Sequence, residues 1–70
     1  MKQLAFVLFL QMWSGGMVTE TIRIAVWEDI NVCVYFARKI SLQAQNEYDV
    51  PVSAYCIPEY VDPETTEIFQ

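Results

Sequence analysis

Cys33 and Cys56 are the residues in this chain best suited to covalent chemistry, and the sequence gives them no catalytic companions. There is no histidine, which removes the commonest general base and the commonest metal ligand together. Ser-His-Asp and Cys-His arrangements are therefore impossible within one chain. Two cysteines alone do not build a structural zinc site, and their spacing is not Cys-x-x-Cys. The acids could in principle hold a cation, but no spaced Asp/Asn loop is present. Gly15-Gly16 lacks the further glycines, or the Gly-Lys-Ser ending, of a phosphate-cradling loop. These exclusions argue against an enzyme, and no cofactor is expected. The chemistry that remains is a disulfide.

Charge narrows the partners. Four basic residues against nine acidic ones give a net charge of −5, which argues against nucleic-acid binding. The one adjacent basic pair, Arg38-Lys39, falls within a helical pattern and reads as a solvated helix face. No transmembrane span is expected, because the longest apolar run is about half of the roughly 20 residues required.

Seventy residues form one domain with a thin core, and chains of this size often need a staple or a partner. Yet 54% of the residues are apolar and 14% aromatic, more than so small an interior can hide. Three segments alternate with period two and read as strands, over residues 4–13, 18–27 and 51–57. In the second, Val18, Glu20, Ile22, Ile24 and Val26 share the greasier side, which is expected to face the core. Between the second and third, Ile30, Cys33, Val34, Ala37, Ile40 and Ala44 recur at three- and four-residue spacing. That stripe predicts a helix over residues 29–45, with Asp29 as N-cap and turn residues from Gln45 through Asp49 before Pro51. The ending, residues 59–70, is acidic and reads as an extended, loose tail beyond a domain of residues 1–58.

The opening segment admits two readings. Lys2, the apolar run from Leu4 to Leu10, and Ser14 with Gly16 fit a secretion signal cut after Gly16. The product would then be a secreted or periplasmic mini-protein stapled by its cysteines. Kept in place, the same segment completes a hairpin, since Gly15-Gly16 suits a type I′ turn and Gln11 falls opposite Glu20. The strand, helix and strand left by cleavage would pair too little backbone to fold well. The pairing therefore favours the retained strand. It gives an α+β domain, ββαβ, with a three-stranded antiparallel sheet of order 2-1-3 and one helix on one face.

Cys33 lies on the buried helix stripe and Cys56 on the core side of the third strand. Both thiols thus point into one interior, either bridged or packed as small hydrophobes, with Cα atoms expected about 4.4–6.8 Å apart. The two-residue turn is expected to place Ala5, Val7 and Phe9 beneath the helix. Leu4, Phe6, Leu8 and Leu10 would then line the opposite face, with Trp27, Tyr55 and Ile57. So apolar a face is expected to meet protein, either a second copy or a larger assembly, with a folded-back tail as the competing cover.

An apolar opening strand, a short Gly turn, a second strand ending in acids, "INVCVYFARKI" and "SAYC" together resemble small orphan proteins of marine phages. The resemblance spans the chain up to Ile57. It implies an origin and a fold, and it carries no activity and no functional residue. An intact mass of the natively produced protein should retain residues 1–16; a species beginning at Met17 would overturn the three-stranded sheet.

Overall fold

The computed structural model describes residues 1–48 and 51–70, with Tyr48 described by its backbone alone. The element order is β1 (Gln3–Ser14), β2 (Met17–Trp27), α1 (Ile30–Tyr48) and β3 (Val52–Val61). The sheet order is β2-β1-β3, and β1 pairs antiparallel with both neighbours. The 12-residue β1 sets the long axis of the molecule at 41 Å, close to the length of an extended strand of that size.

Gly15 and Gly16 have φ of 60° and 79°, the pair of positive values that a type I′ turn requires. Side chains there would be strained, so the two glycines fix the hairpin. Its pairing is nevertheless not the simple one. Ser14 faces Met17 and Trp13 faces Val18, but Met12 faces Glu20 and Gln11 faces Thr21, not Glu20. Thr19 is the extra residue of one bulge and Ile24 that of a second, between the pairs Leu8–Ala25 and Phe9–Arg23. Each bulge reverses the alternation of β2. The side expected to be uniformly buried is thereby divided: Ile22 packs beneath the helix, while Val26 joins a cluster on the other face.

The helix begins where Asp29 caps it, with the Asn31 N–H donating to Asp29 Oδ1 at 2.8 Å. Neither glycine nor proline interrupts residues 30–48, so the helix outruns the expected end at residue 45. Gln45 Nε2 donates to the Val52 carbonyl at 3.0 Å and ties its last turns to β3. The turn expected at Asp49 lies outside the described residues. Cys33, Ala37 and Ala44 are buried against the sheet. Ile30 and Val34, assigned to the same stripe by spacing, sit at its margin and stay exposed.

Beneath the helix, Leu8, Trp27, Cys33 and Ala37 form one buried cluster and Leu10, Ala44 and Val52 another. Full burial of a side chain such as Leu8 contributes about 1.5–3 kcal/mol. Cys33 and Cys56 are joined, with Cα atoms 6.3 Å apart, so the bridge fastens helix to sheet.

The tail is not loose. The strand β3 runs to Val61, past the expected boundary at residue 58, and the chain then turns at Asp62. The Asp62 carbonyl accepts the N–H groups of Thr65 and Thr66. Phe69 then docks on the outer edge of β2 beside Trp27. Apolar side chains at positions 68 and 69 outweigh the acidity of the segment.

Closing a loop across 23 residues stabilises by about 3 kcal/mol in the chain-entropy model. Replacing Cys33 and Cys56 together by Ser should therefore lower unfolding stability by about 3 kcal/mol in denaturant titrations. A loss below about 1 kcal/mol would show that the bridge adds little to the noncovalent core.

Candidate interaction surface

The face that the helix covers is set by Cys56. Its bridge to Cys33 points it at the helix, and it pairs with Leu8 across the β1–β3 ladder. Directly paired residues share a face, so every even position of β1 follows Leu8. The assignment of faces made from sequence is therefore reversed. Phe6, Leu8, Leu10 and Trp27, expected on an open surface, lie beneath the helix, with Leu8 0%, Leu10 5% and Trp27 8% exposed. Leu4 shares their side of β1 and remains exposed near the strand's start. Tyr55 and Ile57 do lie on the face away from the helix. The residues that join them there are Ala5, Val7, Phe9, Gln11 and Trp13, not the even set.

On this opposite face, Ala5, Val7, Val26 and Val61 make a third buried cluster, with Phe9 and Ile68 packed against it. Ile68 brings the tail over that end of the sheet. Tail and open face, weighed as alternatives in the sequence, therefore both occur, at different ends.

The uncovered part is organised. Phe9 and Tyr55, paired across the ladder, stack with ring centroids 5.7 Å apart. Gln11 Nε2 donates to Tyr55 Oη at 3.0 Å, and Trp13 Nε1 donates to Ser53 Oγ at 2.9 Å. Arg23 and Glu59 approach to 3.5 Å from the two edge strands, above the central one. Both are close to half exposed, so the pair contributes at most about 1 kcal/mol. Ile57 is 41% exposed and has no such polar partner. The result is a strip of aromatic side chains held in fixed orientations, with polar groups paired between them.

This polar pairing was not legible from the residues alone, because it depends on the register of β3 against β1. Gln11 and Tyr55 are 44 positions apart, and Trp13 and Ser53 are 40 apart. Alternation could have grouped Phe9, Gln11 and Trp13, but it could not name their neighbours on β3.

The outer side of the helix carries Tyr35, Arg38, Lys39 and Leu42, all exposed. Lys39 Nζ lies 4.9 Å from the centroid of the Tyr35 ring, a cation–π contact at the surface. Among the described residues no ionisable side chain is buried, and no helix is long and apolar enough to cross a membrane. Comparison of the chain with protein-family models, with characterised proteins and with solved structures returned no match.

Proposed function

We propose that this chain is a small non-enzymatic interaction protein whose open sheet face meets another protein surface, that of a second copy or of a larger assembly. The observation that carries the reading is the strip formed by Phe9, Gln11, Trp13, Ser53, Tyr55 and Ile57. Its aromatic rings stay partly exposed, although stacking and side-chain hydrogen bonds already fix them. Ordering long side chains at an interface costs about 0.5–1.5 kcal/mol each, and rings fixed beforehand avoid much of that cost. Trp, Tyr and Arg are also the residue types that dominate interface energetics. The want of histidine, and of buried ionisable groups among the described residues, supports a role without catalysis.

The disulfide supports an oxidising compartment. Export with cleavage after Gly16 is the weaker alternative. It would remove β1, the central strand that both other strands pair with, and Leu8 from the core around Cys33.

Replacing Ile57 by Asp places a charge on the strip while leaving the buried clusters untouched. Leu42→Asp, on the outer helix face, is the matched control. Sedimentation of the native protein over a concentration series reports self-association, and photo-crosslinking from position 57 in the producing cells reports a larger assembly. Ile57→Asp should weaken association by about tenfold or more, and Leu42→Asp should leave it unchanged. Equal behaviour of the two variants, both folded by circular dichroism, would show that the strip is not the interface.

A further inference from the structure

The C-terminal tail sits on the sheet in the manner of a bound peptide. Phe69 forms a parallel bridge with Trp27 on the outer edge of β2. Its N–H donates to the Val26 carbonyl at 2.8 Å, and its carbonyl accepts the Glu28 N–H at 2.9 Å. Successive side chains of an extended segment go to opposite faces, and these do. Ile68 packs onto Ala5, Val7, Val26 and Val61, while the Phe69 ring lies 5.9 Å from that of Trp27. The linker that delivers them is a polar turn, in which Asp62 Oδ1 also accepts the Glu64 N–H at 3.0 Å.

We propose that this end of β2 is a peptide-recognition site which the tail occupies in cis, and that its ligand is an extended segment of a partner protein in which an aliphatic residue is followed by an aromatic one. The seated tail defines that chemistry. One apolar side chain enters the cluster on the open face, the next lies tilted against the Trp27 ring, and two main-chain hydrogen bonds hold the backbone between them. Main-chain bonds give affinity to any extended segment, and the two side-chain positions give selectivity.

The tail also leaves part of the site unused. Upstream of Val26, no strand among the described residues pairs with the outer side of β2, which is an edge of the sheet. A cleft of about 370 Å³ lies there, lined by Arg23, Ile24 and Ala25 on one side and by Thr65, Thr66 and Glu67 on the other. A segment seated in place of the tail would run through this space and continue the ladder as far as the bulge at Ile24. Contacts of that kind are what would let a partner displace a tail held by so few bonds. The site adjoins the aromatic strip, since Phe9 and Ile68 pack against one cluster, but the inference rests on how the tail is seated and not on the reading of that strip.

The test uses the full-length chain with Ile68→Ala and Phe69→Ala, which empties both side-chain positions. The probe is the pentapeptide of residues 66–70, followed by the amide resonance of Glu28 and the indole resonance of Trp27. The variant should bind the probe, and a probe with Ala for Phe should not bind. The native chain should need about tenfold more peptide, since a tethered tail competes at an effective concentration in the millimolar range. No binding by the variant, equal binding of the two peptides, or equal binding by native and variant chains would each overturn the proposal. So would a native dimer that the double substitution abolishes, because the tail would then be exchanged between copies. If the variant fails to fold, hydrogen exchange in the native chain decides. Faster exchange of the Phe69 and Glu28 amides than of the Leu8 amide supports a displaceable tail. Exchange of all three together would show that the tail opens only with the whole fold, and would overturn it.

Discussion

The bond from Cys33 to Cys56, acting through the pairing of Cys56 with Leu8, decides which side of this sheet is inside. Side chains alternate along a strand, so one paired position fixes the facing of every other residue in the ladder. With Cys56 turned to the helix, Leu8, Leu10 and Trp27 become core, and Phe9, Gln11 and Trp13 become the opposite surface. A slip of one residue between β1 and β3 would exchange the two sets. The bridge thus contributes specificity as well as stability: the first strand is apolar on both sides, and hydrophobicity alone would choose weakly between them.

That weakness explains where the sequence was informative. Gly15-Gly16 marked the hairpin because few residue types tolerate two successive positive φ values. The strand order followed from the uniform apolarity of β1, which suits a central position. Helical spacing placed Cys33, Ala37 and Ala44 on the buried side, and Cys33 and Cys56 fell within bridging range as expected. The facing of β1 did not follow, since it depends on contacts such as Leu8–Cys56 between residues far apart in the chain. The bulges at Thr19 and Ile24 were equally hidden. Neither residue type demands a bulge, and their effect is to let Ile22 and Trp27 reach the same side despite an odd separation. The tail misled for another reason: its acids dominate the composition, while Ile68 and Phe69 alone determine where it docks.

Both faces of the sheet consequently carry apolar residues, which is unusual economy for a domain with a single helix. The helix covers one face. The tail covers the Ala5–Val7 end of the other, and polar pairing makes the remainder tolerable in water without hiding it. Gln11 satisfies Tyr55, Ser53 satisfies Trp13, and Arg23 with Glu59 caps the region between. A surface built this way is stable when free, because its rings stack and hydrogen-bond within the chain.

A nuclear Overhauser spectrum of the oxidised protein reads out the facing that Cys56 imposes. The Ala37 methyl should show cross-peaks to the Leu8 methyls and to the Trp27 ring, which share its cluster. Cross-peaks from Ala37 to the Val7 methyls or the Phe9 ring instead would place the helix on the other side of the sheet and show that Cys56 does not set the facing.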